Sequence, residues 1–201
     1  LNLGGMANLS WLPARGGVAG FDTGPGNCLM DLWAQQHLGR PQDDNGVWAA
    51  GARADAALLR ALLAEPYFAL PPPKSTGRDL FNEAWLGRKL TPALDPQAVE
   101  ATLLELTASS VAQALRRHFP GARRLIACGG GVRNGALMAR LEQLLSPVPV
   151  DSSTQHGIEP TQVEAAAFAW LAQQALQGKP GNLPAVTGAR GARVLGAIYP
   201  P

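Results

Sequence analysis

The stretch Val18-Ala-Gly-Phe-Asp-Thr-Gly-Pro-Gly-Asn27 decides the fold class of this chain. Its first part, Val18–Thr23, predicts a strand. The glycines and the proline that follow predict a turn, and Asn27 is a suitable N-cap for a helix. Two earlier segments, Leu1–Gly5 and Leu9–Leu12, also predict short strands. Because a parallel crossover needs about a dozen residues or more, strands this close in sequence should pair as antiparallel hairpins.

Helical patterns dominate the rest of the chain. The clearest helix is predicted over residues 95–119, where apolar residues recur at helical spacing and Asp95 is a suitable N-cap. Further helices are predicted over residues 46–64, 134–145 and 163–176. The last of these is apolar nearly all round, which predicts that it is buried on two faces.

Two more strands complete the fold class. The run Arg123–Cys128 stops at a glycine triplet and predicts a buried, parallel strand, and Val148–Val150 predicts the next one. The tail Val194–Tyr199 is weakly strand-like, and residues 66–94 predict a long structured loop of a kind that often serves function. We therefore expect an α/β fold whose mixed sheet, with antiparallel hairpin strands plus parallel strands, is flanked by helices.

Composition excludes several classes of protein. The chain has 201 residues, and its 17 basic and 15 acidic side chains give a net charge of +2, which argues against a nucleic-acid partner. No apolar run is long enough to span a bilayer and no signal peptide is visible, so no membrane partner is expected. The cysteines Cys28 and Cys128 form no CxxC pattern, which favours a cytoplasmic location. The chain opens on Leu1 inside a predicted strand, and we expect that an N-terminal piece is missing.

The first candidate for chemistry is Asp22, which lies at the end of a predicted strand and just before Gly24 and Gly26. Backbone N–H groups of a glycine turn and the positive end of a helix suit a phosphate or another anion. A carboxylate beside them can act as a general base on water or a hydroxyl. The alternative is a carboxylate that caps the turn, with glycines present only for their backbone conformation.

Two further glycine segments are candidates for ligand contact. Gly129, Gly130 and Gly131 separate a strand from a helix and would allow a ligand close to the backbone, although the spacing of a dinucleotide-binding GxGxxG is not met. A tight strand-to-helix turn is the alternative. Gly4 and Gly5 form a glycine hairpin between two strands, for which a plain hairpin is the alternative.

The segment Pro72–Asp79 contains two cations, Lys74 and Arg78, that can hold an anionic substrate. It is not a Walker A motif, and a solvated loop is the alternative. The histidines are isolated from one another and no HExxH or Cys/His cluster occurs, so no protein-held metal site is predicted.

Taken together, these motifs resemble one family, anhydro-N-acetylmuramic acid kinase. The resemblance covers essentially all 201 residues and is carried by the runs Asn2–Asn8, Gly20–Asn27, Pro72–Arg78, Cys128–Asn134 and the ending Val194–Pro200. It implies membership of the sugar kinase, Hsp70 and actin superfamily, whose members have two ribonuclease-H-like lobes with ATP between them. Residues 1–201 resemble the C-terminal lobe, and the N-terminal lobe is absent from this chain.

The resemblance also implies a reaction and its residues. The family opens the 1,6-anhydro ring of its amino sugar and phosphorylates the freed O6 with ATP and Mg²⁺ in cell-wall recycling. Asp22 matches the catalytic base, and Glu164 is expected to contact a sugar hydroxyl, with a helix-dipole role as the alternative. Lys74 and Arg78 are expected to bind substrate, without a finer assignment. Nucleotide contacts are expected from Gly4, Gly5, Gly24, Gly26, Gly129, Gly130, Gly131 and Asn134.

Two other functions stay open at this stage. The chain can belong to another sugar kinase of the same superfamily, which would use ATP with ordinary hexoses. It can also be a non-catalytic sugar- or nucleotide-binding regulatory module, although Asp22 would then repel a phosphate. The partners expected are a small amino sugar, ATP and the protein's own N-terminal lobe. The sequence leaves open whether the protein forms a homodimer, and little turnover is expected from residues 1–201 alone.

Overall fold

A computed structural model describes residues 1–199 and shows a mixed α/β fold. Strands β1 (Asn2–Leu3), β2 (Met6–Trp11) and β3 (Ala19–Pro25) form an antiparallel meander, which confirms the predicted hairpins. Strands β4 (Leu125–Ala127) and β5 (Val150–Ser152) pair in parallel, also as predicted. The last strand begins two residues later than its hydrophobic pattern indicated.

One parallel bridge joins the two sets of strands. Asn2 pairs with Cys128, the Leu3 N–H donates to the Cys128 carbonyl at 2.8 Å, and the Cys128 N–H donates to the Leu1 carbonyl at 2.8 Å. The spatial order is therefore β3-β2-β1-β4-β5, and β2 runs opposite to the other four strands. This bridge brings the glycine triplet after β4 beside the glycine hairpin after β1.

Helices connect and cover these strands. The first four are α1 (Cys28–Leu38), α2 (Val47–Ala50), α3 (Ala56–Leu63) and α4 (Glu83–Gly87). They are followed by α5 (Pro96–His118), α6 (Gly135–Leu145), α7 (Val163–Leu176) and α8 (Pro184–Thr187). Single 3₁₀ turns occupy residues 44–46, 66–69, 130–133, 153–156 and 160–162.

The core is built around α5. This helix packs against β2, β3, α1, α2, α3 and α6. Its apolar side chains include Leu106 and Val111, which are both fully buried. The Asp95 carboxylate accepts a hydrogen bond from the Ala98 N–H at 3.1 Å, which confirms the predicted N-cap. Burial of each such side chain stabilises the fold by about 1.5–3 kcal/mol.

The helix predicted over residues 46–64 is wrong in its continuity. It is broken between α2 and α3, where the Asp55 carboxylate accepts from the Leu58 N–H at 2.7 Å and starts a new helix. The Asp55 N–H also donates to Thr102 Oγ1 on α5 at 2.8 Å. Aspartate favours the N-cap over a helix interior, because its carboxylate can accept hydrogen bonds from the first helix N–H groups. The contact with Thr102 on α5 fixes Asp55 at that position.

The prediction that α7 is buried on two faces is also wrong. No residue of this helix is buried, and Phe168 and Trp170 are 65% and 50% exposed. Within residues 1–199, the helix packs chiefly against the 3₁₀ turn that precedes it. An apolar pattern indicates that a helix surface is suited to burial. In the described residues, too few elements pack against α7 to bury its surface.

Smaller differences concern β4, the long loop and the tail. Ile126 in the middle of β4 is 41% exposed, so this strand is buried on one face only. The long loop over residues 66–94 contains α4 and a 3₁₀ turn. Residues 194–199 form no strand, and Pro200 lies outside the described residues. No helix in residues 1–199 is long and apolar enough to cross a membrane.

Candidate active site

Two glycine segments are joined directly at the start of α1. The Gly26 and Asn27 N–H groups donate to the Gly5 and Gly4 carbonyls at 2.9 and 2.8 Å. A Cβ at Gly26 would overlap the Gly4 carbonyl oxygen, so only glycine allows this approach. The β3–α1 turn and the β1–β2 hairpin therefore form one unit.

The glycine triplet completes that unit. Gly129 has a φ of +88°, and a Cβ there would lie 2.7 Å from the Leu3 carbonyl oxygen. A Cβ at Gly131 would lie 2.7 Å from Leu3 Cβ and 2.8 Å from Asn27 Oδ1. The three glycine segments, which are far apart in sequence, thus converge around the end of β1.

These glycines are of two kinds. Gly24, Gly26, Gly129 and Gly131 are required by the fold, because a Cβ at each would collide with a neighbouring group. Gly4 and Gly5 have ordinary van der Waals room for a Cβ, and no atom lies within 4 Å of one at Gly130. The chain's own packing therefore does not explain glycine at these three positions, where space is left beside the backbone.

The backbone N–H groups of the glycine segments also fall into two kinds, those with an acceptor in the chain and those without one. The N–H groups of Gly26, Asn27 and Cys28 donate to carbonyls of the Gly4–Gly5 hairpin, so they are not open to an anion, contrary to the sequence interpretation of this turn. No acceptor among residues 1–199 takes the N–H groups of Gly4, Gly5 or Gly130, and none of these three glycines is buried. Clusters of open backbone N–H groups are typical of phosphate-binding surfaces.

The Asp22 side chain is held by the segment after α3. Asp22 Oδ2 accepts hydrogen bonds from Ser75 Oγ at 3.0 Å and from the Thr76 N–H at 2.9 Å. Its N–H donates to the Lys74 carbonyl at 3.1 Å, and its carbonyl accepts from the Tyr67 hydroxyl at 2.7 Å. Burial, and then the charge of Asp22, raise the pKa of Tyr67. These contacts leave Oδ1 without a hydrogen bond in the described residues.

Sequence reasoning missed Tyr67, Ser75 and Thr76 as partners of Asp22. The sequence feature that could have indicated these partners is the run Lys74-Ser-Thr76, which follows three prolines and carries two hydroxyl side chains. The sequence predicted that this segment binds an anionic substrate. In the structure, Ser75 and Thr76 instead bind the Asp22 carboxylate.

Arg78 and Lys74 separate in the structure. A Cβ at Gly5 would lie 3.8 Å from Arg78 Nη2, so the guanidinium lies beside the glycine hairpin. Burial raises the pKa of Asp31 on α1 to about 6, against the opposing charge of Arg78. Lys74 Nζ instead donates to the carbonyls of Tyr67 and Phe68 at 3.0 and 3.3 Å. Only Arg78 is thus placed at the glycine loops.

The other two predicted residues lie on the far side of the triplet. Asn134 Oδ1 accepts from the Leu137 N–H at 2.9 Å and caps α6. Glu164, in the first turn of α7, lines a cavity of about 1010 Å³ whose walls are mainly apolar. Burial and, to a smaller extent, Glu164 raise the pKa of Cys128, which precedes the triplet. No contact in the described structure joins Glu164 to Asp22.

No protein-held metal centre is apparent in the described part of the chain. Residues 1–199 contain no group of three or more histidine, cysteine, aspartate or glutamate side chains that could hold an ion. The site therefore offers open backbone N–H groups, one guanidinium and one anchored carboxylate. This set can bind phosphate groups and accept a proton.

A comparison with known protein families agrees with this chemistry. A sequence model that matches residues 1–201 assigns the chain to a family of carbohydrate kinases. The chain belongs to the anhydro-N-acetylmuramic acid kinase family, which the glycine motifs had indicated.

Curated relatives carry the same name. The chain is 59% identical over 201 residues to anhydro-N-acetylmuramic acid kinase of Xanthomonas campestris pv. campestris (strain 8004), covering 100% of the chain and 53% of that relative. Identity to the corresponding kinase of Cupriavidus pinatubonensis is 56% over 204 residues, with 99% and 54% covered. For Burkholderia cenocepacia it is 54% over 206 residues, again with 99% and 54% covered. The chain thus spans about half the length of the curated relatives it matches.

Proposed function

We propose that the protein containing this chain uses ATP to phosphorylate 1,6-anhydro-N-acetylmuramic acid, opens its anhydro ring by hydrolysis and releases N-acetylmuramic acid 6-phosphate. The observation that carries this proposal is the set of open N–H groups at Gly4, Gly5 and Gly130, with the Arg78 guanidinium beside Gly5. Membership of the family supplies the substrate class. The reaction belongs to cell-wall recycling in the cytoplasm. The free thiols of Cys28 and Cys128 are consistent with that reducing compartment.

Residues 1–201 form, in this proposal, the C-terminal lobe of a two-lobed kinase. The strand order β3-β2-β1-β4-β5 with one antiparallel strand supports a ribonuclease-H-like lobe of the sugar kinase, Hsp70 and actin superfamily. The length of the relatives, about twice that of this chain, supports an N-terminal lobe on the other side of the cleft. Residues 1–201 alone are expected to turn over little, because half of the nucleotide contacts come from that lobe.

The residues present fit a nucleotide. Gly4 and Gly5 would hold phosphate oxygens through their open N–H groups, and Gly129–Gly131 with Asn134 would border the adenosine. Gly26 allows the hairpin and the turn to touch, which positions these donors, and Gly24 leaves room for the Phe68 ring. ATP supplies the phosphoryl group, and Mg²⁺ bound to its phosphates neutralises their charge. Further Mg²⁺ ligands are expected from the N-terminal lobe, as the family resemblance implies.

Asp22 is the proposed base. Its Oδ2 is fixed by Ser75 and Thr76, which leaves Oδ1 to accept a proton from the water that attacks C1 of the sugar. As the C1–O6 bond breaks, the freed O6 becomes the acceptor of the phosphoryl group. Positioning of both reactants does most of the work in such a transfer. Arg78 is the proposed anion contact of the substrate, and Glu164 the proposed contact of a sugar hydroxyl.

The test is ADP release by the full-length protein with 1,6-anhydro-N-acetylmuramic acid. Asp22→Asn should lower the sugar-dependent rate by about 10² or more, because the amide cannot take the proton. Asp79→Asn is the matched control, since this exposed carboxylate lies on the same segment and does not contact Asp22. Full rate in Asp22→Asn would exclude Asp22 as the base.

The same assay separates the other candidates. ADP release with ordinary hexoses and not with the anhydro sugar would indicate another sugar kinase. Binding of nucleotide and sugar with no turnover in the full-length protein would indicate a regulatory module. Either result would replace the proposed substrate and leave the family assignment standing.

A further inference from the structure

A second polar cavity lies outside the glycine loops. It has a volume of about 480 Å³, opens to solvent, and is bordered by β3, the C-terminal half of α5 and the segment that carries Lys74. Asp22 and the glycines of the candidate site do not line it. A cavity of this size lies within the range of sites that hold small molecules, which is about 300–1,000 Å³.

Its walls are strongly cationic. Lys74, Arg116, Arg117 and His118 all line the cavity, and no carboxylate of residues 1–199 does. Burial and the charge of Arg117 lower the pKa of Lys74. Burial, Arg117 and Lys74 together lower the pKa of His118. The cations Lys74 and Arg117 therefore act on each other and on His118 without a carboxylate partner among the lining residues, and a bound anion would supply one.

Hydrogen-bond donors are also available there. The Gln113 amide and the Arg117 guanidinium make no hydrogen bond or ion pair within residues 1–199, although both line the cavity. Arg116 is partly engaged, because its guanidinium donates to the Leu144 carbonyl. An arginine fork with a neighbouring lysine, histidine and amide is the donor set that binds a phosphate dianion.

We propose that this cavity, formed by Lys74, Gln113, Arg117 and His118, is a binding site for a small phosphomonoester, separate from the nucleotide site. The proposal does not depend on the proposed reaction. Lys74 connects the two regions, since this residue lines the cavity, its ammonium group donates to the Tyr67 and Phe68 carbonyls, and its own carbonyl accepts the hydrogen bond from the Asp22 N–H. Lys74 and Arg117 are 43 positions apart in the sequence (117 − 74), so only the folded chain brings them to one cavity.

The test uses the histidine in the cavity as a local reporter. The imidazole signals of the full-length protein are followed by NMR while inorganic phosphate, and in a second arm glucose 6-phosphate, is added. We expect the His118 signals to shift saturably and the His118 pKa to rise, because a dianion opposes the neighbouring cations. His37 and His156 lie elsewhere and serve as internal controls.

Variants separate this site from the glycine loops. Arg117→Gln should weaken the binding detected at His118 by about tenfold or more, because a charged, hydrogen-bonding partner is lost. Arg60→Gln, which removes an exposed arginine from α3, should leave that binding unchanged. Tighter binding of the sugar phosphate would identify a phosphorylated metabolite as the ligand, and equal binding would identify free phosphate. Signals of His118 that do not move with either anion, or that move equally in Arg117→Gln, would overturn the proposal.

Discussion

Helices α5 and α7 show how little an apolar pattern decides by itself. The buried residues of α5 include Glu100, Thr102, Thr107 and Ser110, although all four are polar. Helix α7 consists mainly of alanine, leucine and aromatic residues, and none of them is buried. The difference lies in the neighbours, since α5 packs against two strands and four helices while α7 packs mainly against one turn. Burial is a property of the assembled fold and not of the helix.

The largest difference is expected for a pair of identical substitutions. Leu106→Ala on α5 removes a fully buried side chain and should lower the free energy of unfolding by about 2–5 kcal/mol. Leu176→Ala on α7, where the leucine is 74% exposed, should lower it by less than about 0.5 kcal/mol. Urea denaturation of the 201-residue chain measures both. Equal losses would show that α7 is buried in solution and would remove the contrast.

A second comparison concerns how stability depends on pH through Glu100 on α5 and Glu164 on α7. Glu100 is fully buried, its carboxylate oxygens have no hydrogen-bond partner, and burial, with Asp43 and Asp31 nearby, raises its pKa to about 9. Between its usual pKa and this value, the unfolded chain binds fewer protons than the folded chain. The free energy of unfolding should therefore fall as the pH rises, by at most about 1.4 kcal/mol per pH unit from this group.

Glu100→Gln should remove that part of the pH dependence, because an amide does not ionise. Glu164→Gln on the exposed helix α7 should keep the slope of the unsubstituted chain. The measurement is urea denaturation at intervals from pH 5 to pH 9, values that bracket most of the titration. Parallel curves for Glu100→Gln and the unsubstituted chain would contradict the assignment of a raised pKa to this glutamate.

A smaller effect on stability is expected where Thr107 of α5 contacts the turn between β3 and α1. Thr107 Oγ1 lies 3.1 and 2.9 Å from the carbonyl oxygens of Pro25 and Gly26, in the turn before α1. Thr107→Val should cost about 1–3 kcal/mol of unfolding free energy, because buried carbonyls lose their donor. Thr187→Val on the exposed helix α8, where Oγ1 donates to the Leu183 carbonyl, should cost less than half as much. Thermal unfolding of both variants provides the check.

The smallest change in stability is expected at Gly130. No atom lies within 4 Å of a Cβ built there, so Gly130→Ala should change the unfolding free energy by less than about 0.5 kcal/mol. In the full-length protein it should nevertheless weaken ATP binding, measured by calorimetry, because the methyl group occupies the space beside open N–H groups. Gly129→Ala is the contrasting variant and should destabilise the fold itself, since Gly129 has a φ of +88°. Unchanged ATP affinity in Gly130→Ala would remove the triplet from the proposed nucleotide site.

Sequence reasoning was reliable for several local interactions, although Asn27 makes no side-chain capping hydrogen bond at the start of α1 and the Asp55 cap of α3 was missed. The antiparallel hairpin and the Asp95 cap of α5 depend on residues a few positions apart, and both are confirmed. Capping chemistry and turn propensity are carried by the residues themselves. The convergence of the glycine motifs was implied by a family resemblance, and the site roles drawn from it stay predictions.

The tertiary structure decided everything that joins distant segments. Asp22 is anchored by Ser75, 53 positions away, and the glycine triplet reaches β1 only through the bridge from Asn2 to Cys128. The break before α3 and the exposure of α7 likewise depend on which elements meet. Helical periodicity and the Asp95 cap depend on neighbouring residues, so the sequence alone determined most of the long helices, the hairpin and the candidate motifs. Burial, anchoring and the two open glycine loops arise from contacts between segments far apart, which only the folded chain brings together.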